Sequence, residues 1–449
     1  MSIRRILFCL IAGFAALPSG VIRAQPSDSP RKVAGCIPAG TPAAWRSTVQ
    51  PLQSPEVSPD SVVTLQFCAP DAHSVRVFGD WNAASPNGDR LQEDNRGIWS
   101  LSVGPLKPDL YTYWFLVDGV KTIDPNNVHS ANDAARITSY FILSSQGSDS
   151  ALYESRDVPH GRVSAVWYGS RSVASPRRAL VYTPPGYDAS VERYPVLYLL
   201  HGWGGDENEW IDLGRVTQIM DNLLASHKVV PMIVVMPNGH HDRHAVPDIS
   251  SPPSTADLAP LPPRGYDITP SITEISRSVV YDLVPFVDHN FRTRPNSKSR
   301  AVAGLSMGGG QALFIGLNHP DMFAWVASFS GAVIAWPDAM IPDAAPVPSR
   351  GAEPVIPRYK LNTKAIEKDV PDLNESINAK LRLLYISCGM DDGLLSSNEQ
   401  FESLLSERKI GFVHHEVPGY AHVWSFWRRS LVDVAPLLFQ PQPSLQRAK

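Results

Sequence analysis

A serine between two glycines is the first feature of the sequence that could carry out chemistry. Ser306 lies in the run Gly304–Gly308, directly after the apolar residues 301–303 and before residues typical of a helix start. In a Gly-x-Ser-x-Gly turn between a strand and a helix the backbone bends sharply, and side chains at the glycine positions would clash. The pattern predicts a nucleophilic serine; a serine that merely caps the helix is the alternative.

A serine hydroxyl needs a base to take its proton and an acid to orient that base. His422 follows the last strand-like run, residues 410–417, which is where the base belongs in this type of fold. The acid should follow the preceding strand, Leu383–Ser387, where Asp391 and Asp392 stand side by side. Either carboxylate could face the imidazole while the other caps a helix or faces water, so the residues alone leave both open.

Ester cleavage also needs two donors for the negative charge that develops on the carbonyl oxygen. The backbone N–H of Met307, directly after the serine, is the first predicted donor. The second is the N–H of Trp203 in the loop His201–Gly205, where glycines allow the backbone to approach a substrate closely. Substrate contacts are predicted for Trp210, Trp424 and His201, although His201 also fits a structural hydrogen-bonding role.

One run of the sequence that is rich in histidine has a metal site as its competing interpretation. The run His240–His244 contains residue types that ligate zinc, and its first and last histidines would share a face on a helix. Residues 237–239 instead predict a loop, so the cluster is interpreted as a polar rim of the active site. The serine mechanism itself needs no metal and no organic cofactor.

The elements that must position these residues alternate between apolar strands and amphipathic helices from residue 150 to residue 440. Runs that are apolar on both faces suit a mostly parallel sheet covered by helices on each side. Five such strands are predicted at residues 196–200, 232–236, 301–304, 325–329 and 383–387. Helices are predicted at residues 216–225, 271–290, 309–318 and 398–409, and a proline-rich loop at residues 245–270. The fold class is therefore α/β, as in the α/β-hydrolases.

A different pattern precedes this region. Residues 53–146 contain short runs of alternating apolar and polar residues, separated by turn signals such as Gly79-Asp80, Asn87-Gly88 and Asp118-Gly119. Strands at this spacing without helices predict a small all-β, immunoglobulin-like sandwich.

The N-terminal end indicates export. Residues 1–24 have a basic start, an apolar core and small residues before Ala24, typical of a signal peptide for a secreted or periplasmic protein. Residues 25–52 are interpreted as a linker. Loss of Arg4, Arg5 and Arg23 would change the formal charge from −4 to −7, which argues against nucleic acid or an anionic membrane as partner. The oligomeric state is left open.

The cysteines allow one disulfide at most in the exported chain. Cys9 leaves with the signal peptide, and Cys36, Cys68 and Cys388 remain. Cys36–Cys68 is the favoured pair because Cys388 lies far away in the sequence, and three buried thiols are the alternative.

Residues from about 165 to 440 resemble the esterase family that includes feruloyl esterases, acetylxylan esterases (carbohydrate esterase family 1), enterochelin esterases and the esterase D group. The matching segments are residues 198–202, the Gly304–Gly308 turn, residues 388–392 and residues 419–424. In that pattern the acid is the second of the two carboxylates and precedes a small residue and a leucine. The resemblance therefore implies Asp392 rather than Asp391.

The predicted sandwich resembles carbohydrate-binding module family 48, an early-set domain, at residues 78–82, 97–100 and 110–119. Of three tryptophans, Trp99 and Trp114 occupy core positions of the alternation, and only Trp81 is placed for a ligand. A structural domain that shapes the esterase cleft is the alternative to sugar binding.

Together the resemblances imply an exported serine esterase that acts on feruloyl or acetyl esters of plant cell-wall polysaccharide such as xylan. Three large aromatic residues near the site, Trp203, Trp210 and Trp424, favour the feruloyl group over acetyl. A siderophore esterase of the enterochelin type and a non-catalytic carbohydrate-binding protein are the alternatives.

Overall fold

A computed structural model describes residues 52–82, 87–133, 136–144, 149–241, 268–341 and 360–440. The predicted signal peptide, the linker up to residue 51 and most of the predicted loop 245–270 lie outside these residues. Among the helices in the described ranges, none combines the length and the apolar character that a membrane crossing requires.

The N-terminal region consists of antiparallel strands in two sheets, as expected for a sandwich. One sheet has the order β1-β2-β6-β5; the other has the order β4-β3-β7-β10-β9, with β8 paired to β7. The strands are Glu56–Val57 (β1), Val63–Cys68 (β2), Val75–Gly79 (β3), Asp89–Arg90 (β4), Gln92–Glu93 (β5), Ile98–Val103 (β6), Leu110–Val117 (β7), Val120–Thr122 (β8), Ser130–Asp133 (β9) and Arg136–Ile142 (β10). Alternate residues of both sheets, among them Val63, Val77 and Phe115, form a shared core. We call this region the N-terminal sandwich.

The three tryptophans of the sandwich do not all lie where the alternation placed them. Trp99 is in the core, and its indole N–H donates to the Ala69 carbonyl at 2.9 Å. Trp114 was predicted in the core, but it is only partly buried and stacks on Phe78 with ring centroids 4.1 Å apart. Trp81, predicted to face a ligand, folds back onto its own sheet and donates to Asp89 at 3.1 Å.

An eight-stranded, mostly parallel sheet with the order β11-β12-β14-β13-β15-β16-β19-β20 forms the second region. The pairs β11–β12 and β12–β14 are antiparallel, and the other neighbouring strands of this sheet are parallel. The strands are Arg162–Ser170 (β11), Ser175–Thr183 (β12), Val196–Leu200 (β13), Ile233–Pro237 (β14), Arg300–Leu305 (β15), Trp325–Phe329 (β16), Leu383–Gly389 (β19) and Val413–Val417 (β20), while Met340–Ile341 (β17) and Lys360–Leu361 (β18) pair separately. The five predicted parallel strands agree with this sheet to within two residues, whereas β11 and β12 were not predicted.

Helices cover both faces of the sheet, which confirms the predicted fold class. Residues of β13 alternate between two cores: Val196 and Tyr198 face one, and Leu197 and Leu199 face the other. Helices α3 to α7 pack on the first side, and α1, α2 and α8 pack on the second. The helices are Glu209–Asp212 (α1), Val216–Ala225 (α2), Thr269–Ser278 (α3), Val284–Asn290 (α4), Met307–Asn318 (α5), Thr363–Asp369 (α6), Leu395–Glu407 (α7) and Trp424–Val434 (α8).

One predicted helix is interrupted. The single helix expected at residues 271–290 is instead α3, a π-helical turn over Val279–Leu283, and then α4. Pro285 lies in the first turn of α4, where its missing N–H and fixed φ are tolerated, so the proline marks a new helix start.

Cys68 is disulfide-bonded and Cys388 is a free, buried thiol. The favoured partner, Cys36, lies outside the described residues.

Candidate active site

The turn at Ser306 has the strained geometry that the glycine pattern predicts. Ser306 joins β15 to α5 with φ 51° and ψ −118°. A Cβ at Gly304 would lie 2.4 Å from the Gly308 carbonyl oxygen, and one at Gly308 would lie 2.5 Å from the Leu200 carbonyl oxygen. Both glycines are therefore required by close backbone contacts, and the turn presents the serine side chain at the carboxyl edge of the sheet.

Ser306, His422 and Asp392 form a hydrogen-bonded series. His422 Nε2 lies 2.9 Å from Ser306 Oγ, and His422 Nδ1 lies 2.8 Å from Asp392 Oδ2. The Asp392 side chain is fully buried, whereas that of His422 is 37% exposed. Because a carboxylate accepts from Nδ1–H, the neutral imidazole presents its Nε2 lone pair to the serine hydroxyl.

The structure distinguishes the two adjacent carboxylates. Asp391 is exposed, while Asp392 is buried and also accepts from the Leu394 N–H at 2.8 Å. Burial by itself raises the pKa of Asp392, but the hydrogen bond and charge of His422, with donors from Leu394 and the Ser330 hydroxyl, outweigh it and lower the pKa below its ordinary value. The buried carboxylate therefore stays ionised beside the imidazole.

Two residues behind this series were not predicted. Ser330 follows β16, is fully buried and bonds Asp392 through its hydroxyl. Trp427 of α8 donates its indole N–H to Ser330 Oγ at 3.3 Å and places its ring edge-on to His422, with centroids 4.9 Å apart. The available sequence signal for Ser330 was a serine directly after a predicted strand. Its partner Trp427, however, comes from a helix that is distant in the sequence.

The segments that carry the two predicted oxyanion donors lie beside the serine. Met307 is the first residue of α5, and the first N–H groups of a helix have no partner within that helix. In the facing loop, a Cβ at Gly202 would lie 3.5 Å from Ser306 Cβ, so this loop runs directly beside the serine. Gly204 N–H donates to His240 Nε2 at 3.1 Å, which braces the loop that carries Trp203.

His201 and Trp210, both predicted to contact substrate, are buried inside the protein. His201 is 1% exposed and joins two loops: it accepts the Gly239 N–H at Nε2, 2.7 Å away, and its Nδ1 lies 2.8 Å from the Gly202 carbonyl oxygen. Trp210 is 1% exposed and donates to the Leu200 carbonyl at 3.0 Å. Both side chains hold the backbone around the site in place.

Trp424, the third residue predicted to contact substrate, is buried as well. It is 6% exposed, packs edge-on against Trp210 with centroids 5.4 Å apart, and donates its N–H to Asp133 of the N-terminal sandwich at 3.2 Å. The aromatic argument for a feruloyl group therefore loses two of its three residues, because large aromatic side chains near a loop pack inward as readily as outward. Trp203 is half-buried beside the site.

The histidine cluster is only partly described, because Asp242, Arg243 and His244 lie outside the described residues. His240 and His241 hydrogen-bond to Gly204 and Ser271 respectively. Within the described ranges, a different group of possible metal ligands comprises Glu402, His414 and Glu416, whose ligand atoms lie within 4.8 Å of one another. His414 Nδ1 there lies 2.7 Å from Glu402 Oε2, a distance that a hydrogen bond explains.

Comparison with known proteins identifies the family of the chain. The model of the Esterase family matches residues 170–438. An endo-1,4-beta-xylanase/feruloyl esterase of Xylanibacter ruminicola is 30% identical over 391 residues, which is 86% of this chain but 46% of that relative. The chain thus spans less than half of the relative's length.

Solved structures share the fold. The enterobactin esterase of Shigella flexneri matches with a TM-score of 0.60 at 17% identity over 85% of this chain and 93% of its own. A CE1 ferulic acid esterase of Anaeromyces mucronatus matches with a TM-score of 0.50 at 18% identity, over 66% of this chain and 98% of its own. With an α/β-hydrolase fold and a family model that matches more than half of its length, the chain belongs to the Esterase family.

Proposed function

We propose that this protein is an exported serine esterase that hydrolyses feruloyl or acetyl esters on plant cell-wall polysaccharide such as xylan. The observation that carries the proposal is the series Ser306–His422–Asp392, hydrogen-bonded at 2.9 and 2.8 Å at the carboxyl edge of the sheet. The signal-like residues 1–24 support export to the periplasm or the medium.

In the first half of the reaction, Ser306 Oγ attacks the ester carbonyl carbon while its proton passes to His422 Nε2. The ionised Asp392 stabilises the imidazolium that forms. The oxyanion of the tetrahedral intermediate is stabilised by the N–H groups of Met307 and Trp203. When the intermediate collapses, His422 returns the proton to the sugar hydroxyl that leaves, and the acyl group stays on Ser306.

In the second half, water replaces the sugar. His422 Nε2 takes a proton from the water as its oxygen attacks the acyl carbon. The second tetrahedral intermediate releases the free acid, and Ser306 recovers its proton from His422. No atom of the chain is changed at the end of the cycle.

The choice of a cell-wall ester is supported by the Xylanibacter relative, whose name combines xylanase and feruloyl esterase and which aligns with 86% of this chain. A siderophore esterase is the second candidate. The structure of the enterobactin esterase aligns with 85% of the chain, which is more than the residues 170–438 that the family model matches. The formal charge of −4 opposes this candidate, since a triply anionic iron complex calls for a basic cleft.

Assays with methyl ferulate, 4-nitrophenyl acetate and iron-loaded enterobactin, on wild type and Ser306→Ala, separate these functions. We expect turnover of methyl ferulate and a loss of about 10⁴-fold or more in Ser306→Ala. Activity on the acetyl ester alone would contradict the feruloyl group, and preferred hydrolysis of enterobactin would reverse the ranking. Full activity of Ser306→Ala would contradict the nucleophile, whereas no turnover of any of the three esters by wild type would favour a non-catalytic carbohydrate-binding protein.

A further inference from the structure

We infer that Asp133, in the N-terminal sandwich, is a positioning residue for the catalytic base, acting through Trp424 and Trp427 of helix α8. The inference rests on the proposed roles of Ser306 and His422. It assigns the sandwich a part in catalysis that is independent of any sugar binding.

The first contact crosses between the two regions of the chain. Asp133 ends strand β9, and its Oδ1 accepts the indole N–H of Trp424 at 3.2 Å. Trp424 is the first residue of α8 and lies two positions after His422. Because the Trp424 side chain is only 6% exposed, water cannot readily replace Asp133 as its acceptor.

The second contact runs from ring to ring within α8. Trp424 and Trp427 meet edge-on with centroids 5.3 Å apart, and Trp427 meets His422 edge-on at 4.9 Å. Edge-on contacts between aromatic rings have a preferred geometry, so a rotation of Trp424 would displace the ring that faces the base.

The same tryptophan also contacts the acid through Ser330. Trp427 donates to Ser330 Oγ at 3.3 Å, and the Ser330 hydroxyl donates to Asp392. Trp427 thus contacts both the imidazole of His422 and the Ser330 hydroxyl that binds Asp392. A shift of this ring would disturb both hydrogen bonds of the catalytic series.

A second link between the sandwich and α8 provides an internal comparison. Arg428 directly follows Trp427 on the same helix, and its Nη2 donates to Asp109 at 2.9 Å. Arg428 also binds the Leu110 and Leu213 carbonyls, so this link serves docking. Asp133 contacts α8 through Trp424, which meets Trp427 edge-on, whereas Arg428 makes no ring contact with Trp427 or His422 among the described interactions.

Steady-state kinetics of the full chain test the inference with the variants Asp133→Ala, Asp133→Asn and Trp424→Phe. We expect Asp133→Ala and Trp424→Phe each to lower kcat about 3- to 10-fold with KM unchanged, since a small misplacement of a catalytic group lowers the rate without weakening binding. Asp133→Asn keeps an acceptor oxygen and should retain most of the activity. The double variant Asp133→Ala/Trp424→Phe should be no slower than either single variant.

Asp109→Asn is the matched control, because it weakens the same interface at the same helix and should leave kcat near wild type. Equal losses in Asp109→Asn and Asp133→Ala would overturn the inference, since general docking would then explain both. An unchanged kcat in Asp133→Ala and Trp424→Phe would overturn it as well. Ser306→Ala in the same series separates the two failures: if it stays active, the proposed nucleophile is wrong, independently of Asp133.

Discussion

Asp392 illustrates how single residues keep a charge inside this protein. Its side chain is fully buried, yet it accepts from His422, from the Leu394 N–H and from the Ser330 hydroxyl. A buried carboxylate with several donors stays ionised where an unpaired one would take up a proton. The carboxylate can therefore hold the tautomer of His422 that leaves Nε2 available to Ser306.

The adjacent carboxylates give a matched pair of variants. Asp392→Asn keeps the size of the side chain but removes the charge that stabilises the imidazolium, and we expect kcat to fall about 10⁴-fold, as in other serine triads. Asp391→Asn, at an exposed position, should stay near wild type. The measurement is kcat on methyl ferulate with thermal unfolding as the check on folding. A larger loss in Asp391→Asn would reverse the assignment.

Ser306, His422 and Asp392, which the structure brings together, were easier to choose from the sequence than the residues around them. Ser306 and His422 could be chosen because each follows a strand in the order that the fold requires, and Asp392 because of the family pattern. Trp210 and His201 were placed against the substrate although both are 1% exposed. Both residues are close to the site loops in the sequence. That closeness does not reveal whether a side chain points into the protein or towards the substrate.

At the scale of elements, apolar runs predicted the central strands but not the two antiparallel ones. Residues 196–200 and 325–329 agree with β13 and β16 to the residue. Strand β11 has several exposed positions, and β12 carries Pro176 and two arginines. Such sequences look like loops because the burial of an edge strand is decided by its neighbours in the sheet, which a local pattern does not contain.

An acid at the start of the short helical turn that follows β3, Asp80, gives a pH-dependent prediction for the sandwich. Burial raises the pKa of Asp80 from 3.8 to about 6, with a further contribution from the charge of Asp133, despite hydrogen bonds from Thr112. The unfolded chain then loses this proton at lower pH than the folded chain does. The contribution of Asp80 to stability is therefore fully present below about pH 4 and decreases as the pH rises through about 6.

Urea unfolding of wild type and Asp80→Asn between pH 4 and 7 checks this sign. The variant cannot ionise, so its stability relative to wild type should increase as the pH rises across that interval. A constant or decreasing difference would contradict the raised pKa. Asp118→Asn is a suitable comparison, because hydrogen bonds from His73 lower the pKa of this exposed carboxyl in the same sandwich.

At the scale of the whole molecule, the N-terminal sandwich and the hydrolase sheet share a core. Leu110 and Ala131 of the sandwich belong to the same buried cluster as α2 and α8. Arg428, which is fully buried, connects Asp109 and Leu110 to Leu213. The sequence predicted both regions from their different periodicities, but a composition change near residue 150 indicated separate units. The contacts of Arg428 with Asp109 and Leu110 join residues more than 300 positions apart, which no local pattern relates.

Arg428→Met tests this connection. Removing one partner of a buried ion pair typically costs about 3–5 kcal/mol. We expect a lower thermal midpoint and a separate, earlier transition for one of the two regions in calorimetry. Arg429→Met, at the neighbouring and 38% exposed position, should unfold like wild type. A single unshifted transition in Arg428→Met would show that the arginine does not hold the regions together.

The proposed mechanism requires that Ser306 carries the acyl group during turnover. Rapid acid quenching of the enzyme with methyl ferulate, followed by mass spectrometry of its peptides, tests that claim directly. We expect a feruloyl adduct on the peptide that contains Ser306, and no adduct on that peptide in Ser306→Ala. Steady turnover with an adduct on another residue, or an undiminished rate in Ser306→Ala, would contradict it.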